Sequence, residues 1–386
     1  AALVTAVVWA LIGTQDASFV IERVLAVLVI ASPNALGLAI PLVSWAASHR
    51  SASDGVLIRN KLDFEAVRKI DVVLFDKTGT LTDGQLAVQN VHVFDADAMT
   101  TNRLVALAAG IEAESGHALA RGIRAEAKRR RVKAVEVVDR MSLPGIGVSA
   151  RLGGERLIVG GPAMLMRQGI TLGVNELHFA ATQGELGFTT VYLVIDDRLV
   201  GLISLGDQLR DNTDEAIEAL KTLGKKVAIV SGDSFEGVEA MAKRLGVEEF
   251  FAEVLPQRKI EIVKQFQQSG RSVAMIGDGV NDAPALAQAD VGIAVGEGTD
   301  VVAETAGLLL LSGDPMDVAN LVKLSKRSYA KMQQNLWWAT GYNLLAIPAA
   351  AGLFMGIGVT LIPAIGVVLM SVSTLLVAAN AHLLRR

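Results

Sequence analysis

The sequence predicts a membrane-anchored α/β protein, with α-helical membrane segments at both ends and a parallel-sheet domain between them. Three observations carry this. Hydrophobic residues make up 51% of the 386 and charged residues only 20%, with mean hydropathy +0.42, which is too apolar for an ordinary soluble enzyme. Residues 333–384 contain no Asp, Glu, Lys or Arg, enough for two spans of about 20 residues each. In the middle, short β-branched runs at 71–75, 227–230 and 273–276 lead into Gly, Asp or Ser turns and then helical sequence, as parallel strands with crossover helices do. A net charge of −4 gives no nucleic-acid surface. The absence of cysteine excludes disulfides, thiolate metal ligands and a Cys nucleophile.

Taken in order, residues 1–13 (AALVTAVVWALIG) are apolar but too short to span and lack a basic leader, so they read as a truncated membrane helix. Residues 20–48 form one complete span, interrupted at its middle by Ser32, Pro33 and Asn34. Residues 49–85 are a linker and the first part of the α/β domain, 86–199 a separate inserted domain, and 200–328 the remainder. Spans at 332–355 and 359–384 close the chain as a helical hairpin turning near Gly356 and Gly358. Basic residues flank the spans: His49, Arg50, Arg59 and Lys61, then Lys326, Arg327 and Lys331, then Arg385 and Arg386. The expectation is an integral protein of the plasma membrane with residues 49–331 cytoplasmic.

At the end of the first strand stands FDKTGTLTDG, residues 75–84. The Asp76 carboxylate should emerge at the sheet's carboxyl edge beside a tight Gly turn, a geometry suited to attack on a phosphoryl group. Alone, an Asp after a strand is more often a cap or turn residue. Other strand ends change the balance: SGD at 231–233, Lys259 in LPQRK, and GDGVND at 277–282. They supply a hydroxyl and an ammonium for phosphate oxygens, and two carboxylates, Asp278 and Asp282, for Mg²⁺.

DKTGTLT, SGD and GDGVNDAPAL, in this order, resemble the P-type ATPases, the phosphorylated branch of the haloacid-dehalogenase superfamily. The resemblance implies a cytosolic α/β haloacid-dehalogenase-like phosphorylation domain, built on a Rossmannoid parallel sheet, with an inserted α+β nucleotide-binding domain. It implies that Asp76 is phosphorylated, that Lys77, Thr78 and Thr80 line its phosphate site, and that Asp76, Thr78, Asp278 and Asp282 serve Mg²⁺. Ser231, Gly232, Asp233 and Lys259 would hold the phosphate; Ser231 stands where the family usually has Thr and keeps the hydroxyl. ATP and Mg²⁺ are the implied cofactors. Within the insert, EAESGHALA resembles the Ser-Glu-His-Pro motif of the heavy-metal (type IB) subgroup, retaining Glu112 and His117 with Ala118 in place of Pro. LPGIGV matches its Gly-x-Gly loop at Gly145 and Gly147, while IVGG at 158–161 departs from the usual Gly-Asn.

The broken membrane segment fits the same subgroup. SPNALGLAIPL resembles its Cys-Pro-Cys, Ser-Pro-Cys or Cys-Pro-His pattern followed by the same ALGLAIP. Pro33 removes an amide donor and frees carbonyls that the Ser32 and Asn34 oxygens could join around a cation; a simple kink is the alternative. Asn in a bilayer centre is costly and usually functional. NLWWATGYN and MSVSTLLVAANA resemble the subgroup's Tyr-Asn and Met-Ser-x-Ser signatures. They offer Tyr342, Asn343, Met370 and Ser371, with Ser373 and Thr374 more weighted to helix packing. No thiolate is present, and only Met370 and Met355 bring thioether sulfur. The resemblance implies a transition metal such as copper or zinc, whereas the ligand chemistry alone suits a harder cation.

The family's actuator domain, with its Thr-Gly-Glu loop, has no counterpart in these residues. The chain therefore reads as the carboxyl-terminal part of a longer protein, expected to bind nucleotide without completing a transport cycle. Three functions stand: an ATP-driven cation pump, a membrane-tethered phosphatase, and a non-pumping sensor with a degenerate ion site. Against the phosphatase, Thr78 occupies the place where such enzymes carry a second Asp as general acid. The expected partners are the transported cation and the lipid bilayer, with no nucleic acid; a metallochaperone is a partner that the sequence does not specify.

Overall fold

The computed structural model describes residues 1–13, 15–32, 34–95, 99–278, 282–296 and 305–385. Pro33 and Arg386 lie outside the described residues, as do 279–281 of GDGVND. The chain divides into two units, Ala1–Arg68 with Asn320–Arg386, and Lys69–Ala319.

In the first unit, helices Ala2–Ile12, Ala17–Ile30 and Asn34–Ser53 are followed by a short strand, β1 (Val56–Ile58), and helix Lys61–Val67. The long helix Met316–Ala351 and helix Pro363–His382 complete it, joined through a 3₁₀ turn at Met355–Ile357 and Gly358 at φ 80°. Among the described residues, two segments are long and apolar enough to cross a membrane, Ala17–Ser53 and Pro363–His382. The span expected at 332–355 overlaps the second half of the Met316–Ala351 helix. That half is charge-free, but Gln333, Gln334, Asn335, Tyr342 and Asn343 lower its hydropathy. Small residues let the helices approach: Ala26, Val27 and Ile30 pack with Ala346, Ala350 and Tyr342, and Ala35 and Ala39 with Ala339 and Val377.

The second unit carries β2 (Val72–Asp76), β3 (Thr82–Val93), β4 (Val138–Leu143), β5 (Gly147–Leu152), β6 (Glu155–Gly160), β7 (Thr189–Ile195), β8 (Arg198–Leu209), β9 (Lys226–Val230), β10 (Glu249–Phe251), β11 (Val273–Gly277), β12 (Val291–Val295) and β13 (Leu308–Leu310). Six of them form a parallel sheet in the order β13-β12-β11-β2-β9-β10. The other six form an antiparallel sheet, β3-β8-β7-β6-β5-β4. This is a Rossmann-type α/β domain with an inserted α+β domain.

Every residue of β2 is buried, as a central strand covered on both faces requires. Val72, Leu74, Ala228, Val230, Val273 and Met275 share one core. The register pairs Leu74 with Ala228 on one side and Met275 on the other, so β9, β2 and β11 end level. Whatever follows those three strands emerges together at one sheet edge. In the insert, helix Thr101–Ile111 is capped by the Thr100 hydroxyl and helix Ala118–Arg129 by the His117 ring. Gly122 lets the second helix lie on β3, since a Cβ there would sit 2.3 Å from the Leu86 carbonyl oxygen.

Candidate active site and ion-binding residues

Asp76 ends β2, and Asp278 follows β11 directly. Lys259 arrives from the helix Pro256–Gln268, and Asp282 immediately precedes the helix Ala283–Gln288. The Lys259 ammonium donates to Asp76 Oδ1 at 2.5 Å and to Asp282 Oδ1 at 2.6 Å, with all three side chains buried. A lone buried charge would be costly, so each partner is needed by the other two. Asp76, Asp278 and Asp282 each bring a carboxylate oxygen within 4.8 Å of the others. Burial and the neighbouring Asp282 push the Asp76 carboxyl up to about 7, against the pull of Lys259. Burial and Asp282 raise Asp278 as well. Three crowded carboxylates against one ammonium form a hard-oxygen set with excess negative charge, and these residues fit Mg²⁺.

The loop after Asp76 is shaped by glycine. Gly79 has φ +76°, and a Cβ on it would lie 1.8 Å from Asp278 Oδ2; only glycine lets the loop and the metal-side carboxylate coexist. The Arg210 guanidinium donates to the carbonyls of Gly79 (2.8 Å) and Thr82 (3.1 Å). The Thr82 hydroxyl meets Asp207 at 2.5 Å. Lys77 is ion-paired with Asp233, whose backbone N–H donates to the Ser231 hydroxyl at 3.1 Å. The structure therefore brings Asp76, Lys77, Ser231, Asp233, Lys259, Asp278 and Asp282 to the ends of three adjacent strands. Thr78 stands exposed in the loop, while the buried Thr80 hydroxyl has no hydrogen-bond partner among the described residues. That orphaned donor suits a phosphoryl oxygen.

In the insert, Glu112 follows the helix Thr101–Ile111 and is buried; burial raises its pKa, with Ser115 and then His117 and Arg124 pulling it down. Its Oε2 atom is also unpartnered among the described residues. The Glu112 carbonyl accepts from Arg124 at 2.5 Å, and His117 Nδ1 accepts from the Leu119 N–H at 3.3 Å. Gly145 turns at φ +72° with open space where a Cβ would point, and Gly147 at φ +150° would place one 1.9 Å from the Val159 carbonyl oxygen. A cavity of about 850 Å³ reaches Lys77 and Arg210, but Glu112, His117, Gly145 and Gly147 do not line it.

In the membrane unit, the Asn34 amide lies 3.4 Å from the Met370 sulfur and the Ser32 hydroxyl 3.4 Å from Asn34 Oδ1. Asn343 donates to the Ala339 carbonyl at 3.3 Å, and its Oδ1 has no partner among the described residues. Ser371 and Thr374 turn back onto carbonyls of their own helix, at Val367 and Met370. Tyr342 packs against the apolar Ala26, Val27 and Ile30 cluster.

A haloacid dehalogenase-like hydrolase family model matches residues 70–290, more than half of the chain and all four members of the Asp76 cluster. The chain belongs to the haloacid dehalogenase-like hydrolase family. Its resemblance to the P-type ATPases also holds. It is 44% identical over 382 residues to the copper-exporting P-type ATPase B of Archaeoglobus fulgidus, covering 99% of this chain and 54% of that protein. To the copper-exporting P-type ATPase B of Enterococcus hirae it is 37% identical, over 95% of this chain and 48% of the other. The solved structure of a zinc-transporting PIB-type ATPase in its E2.Pi state aligns with TM-score 0.82 and 31% identity, over 100% of this chain and 61% of that one. The catalytic domain of the CPx-ATPase CopB-B aligns with TM-score 0.52 and 31% identity, over 72% and 98%. The chain spans about half the length of the curated relatives it matches.

Two groups in this haloacid dehalogenase-like chain are absent from the sequence reading. Arg210, with Asp207 and Thr82, grips the loop after Asp76; it stands at the end of β8, which pairs with β3 at Thr82↔Leu209, and no local pattern signals that pairing. The other is a buried polar network. Asn335 donates to the Ala39 carbonyl at 3.2 Å and accepts from Asn380 at 2.8 Å, and Lys331 donates to Asn380 at 2.7 Å. Its signal was Gln333, Gln334 and Asn335, three neutral polar side chains at the start of the charge-free run 333–384.

Proposed function

We propose that the complete protein is an ATP-driven transporter of a transition-metal cation, of copper or zinc type, working through an aspartyl phosphate on Asp76. With Lys259 on Oδ1, Asp76 Oδ2 is the oxygen that attacks the γ-phosphorus of ATP. The Oδ2–P bond forms, the bond from phosphorus to the β–γ bridging oxygen breaks, and ADP leaves with that electron pair. Mg²⁺, held by Asp76, Asp278 and Asp282, supplies neutralisation of charge on the phosphoryl oxygens. Thr80 donates to a phosphoryl oxygen, Thr78 lies on the exposed side of the same loop, and the Ser231–Asp233 turn fixes Lys77. Glu112, His117, Gly145 and Gly147 hold the nucleotide. Because Thr78 cannot act as the acid that hydrolysis needs, the phosphoenzyme persists, which favours a pump over a phosphatase.

The observation that carries this reading is the Lys259-bridged carboxylate cluster at the ends of β2 and β11, in one chain with a membrane unit that puts Asn34 beside Met370. Ser32, Asn34 and Met370 offer oxygen and thioether ligands around the Pro33 break, with Tyr342, Asn343 and Ser371 on the partner helices. The thioether favours a soft cation. Residues 49–331 face the cytoplasm of a plasma-membrane protein. The test is phosphorylation from labelled ATP in membranes carrying the protein, across copper(I), zinc, manganese and alkali cations. One transition metal should raise the label, and Asn34→Ala or Met370→Ala should raise the concentration needed by at least about tenfold, as loss of one good ligand does. A label indifferent to every cation contradicts the proposal.

A further inference from the structure

We infer that a basic cavity at one end of the membrane unit holds the phosphate headgroup of an anionic phospholipid. The cavity, about 490 Å³, is lined by Arg50, Lys323, Arg327 and Lys331 and also by the apolar Leu383 and Leu384. Lys323, Arg327 and Lys331 recur every four residues along the helix Met316–Ala351, which stacks three cations on one face. The only carboxylate in the lining, Asp54, is 2.9 Å from Arg50 Nε. Four cations against that one anion leave the lining net positive by three. Lys331 reaches only the neutral Asn380 amide oxygen, at 2.7 Å. Lys323 and Arg327 are exposed, with no ion pair among the described residues. Two unpaired cations converging on one cavity attract an anion, and a phosphate ester is the anion that such a cluster suits.

The apolar lining decides which phosphate it is. Leu383 and Leu384 continue from the apolar helix Pro363–His382, and both line the cavity, Leu384 buried and Leu383 53% exposed. A free phosphate has no use for that wall, whereas a lipid lays its glycerol and acyl carbons along it. Trp45, exposed on the helix that carries Arg50, is placed as an interfacial anchor. A basic cavity between membrane helices at headgroup depth is where anionic lipids bind. The inference rests on the chain being inserted in a membrane and not on the transport reading.

Purified chain would be offered phosphatidylglycerol in competition with phosphatidylcholine in mixed micelles, and the retained lipid counted by native mass spectrometry. The wild type should retain phosphatidylglycerol preferentially. The preference should fall at least about fivefold in a Lys323→Gln, Arg327→Gln double variant, each cation near a headgroup being worth about that factor, and should survive Lys323→Arg. An Arg59→Gln, Lys61→Gln variant loses the same charge outside the cavity and should behave as wild type. An equal fall in both double variants would reduce the effect to diffuse surface charge and overturn the inference. Displacement of the lipid by millimolar inorganic phosphate would make this a free-phosphate site and would overturn it too.

Discussion

On the proposed function Asp76 must be an ionised nucleophile, while it lies buried beside two other carboxylates, and its proton affinity records that conflict. Its pKa rises from 3.8 to about 7, burial being the largest cause and Asp282 the next. The folded state thus binds the proton more tightly than the unfolded chain. Stability from this group is fully present below about pH 4 and is lost as the pH climbs through the window up to about 7. On the proposed function, Mg²⁺ would displace the proton and offset the repulsion that remains. Thermal unfolding with and without Mg²⁺ should therefore show a larger Mg²⁺-induced rise in Tm at pH 8 than at pH 5.5, and Asp76→Asn should flatten that difference. Equal rises at both pH values would show that Asp76 does not couple proton and metal. Gly79 is the second residue on which the site turns. Gly79→Ala adds about 1–2 kcal/mol for the left-handed backbone, before the collision with Asp278. Mg²⁺ affinity, read by titration calorimetry, should drop by at least about tenfold, while far-UV circular dichroism stays unchanged.

Among the elements, the strands that carry the Asp76 cluster were legible because a central parallel strand is a continuous β-branched run whose end residues gather at the carboxyl edge. Asp76, Lys259, Asp278 and Asp282 belong to short motifs that also name their partners. Arg210 was not legible, because its role depends on β8 returning antiparallel to β3, a pairing no local pattern specifies. The membrane helices were read from hydropathy alone, which cannot say that one of them begins at Met316. Hydropathy also treats Asn335 as a defect, whereas the fold makes it a hub: fully buried, and bonded to Ala39, Val377 and Asn380. Asn335→Leu strands the Asn380 amide and a carbonyl in an apolar interior, at about 1–3 kcal/mol per unsatisfied group. Its Tm in detergent should fall by several degrees. Thr340→Ala, which removes an exposed hydroxyl bonded only to its own helix at Leu336, should leave Tm within about a degree. A fall no larger than that control would mean the network adds nothing.

For the whole molecule, the proposed function makes phosphorylation in the haloacid dehalogenase-like unit the event that the membrane unit answers to. The broken helix of the membrane unit was visible in sequence because Ser, Pro and Asn interrupt an apolar run. Which cation it serves was not, because selectivity follows from how ligands converge in space, and a lone thioether among oxygens permits more than one answer. Each further claim, about the cation or about an occupant of the basic cavity, can fail without touching the central one, which is that Asp76 is the phosphoryl acceptor. The most direct test is incorporation of the γ-phosphate of labelled ATP with Mg²⁺ present, for wild type and Asp76→Asn. The predicted result is label on the wild type that survives acid, is released by hydroxylamine as an acyl phosphate should be, and is absent from Asp76→Asn. Label that persists in Asp76→Asn, or no label on wild type that demonstrably binds ATP, would contradict the account.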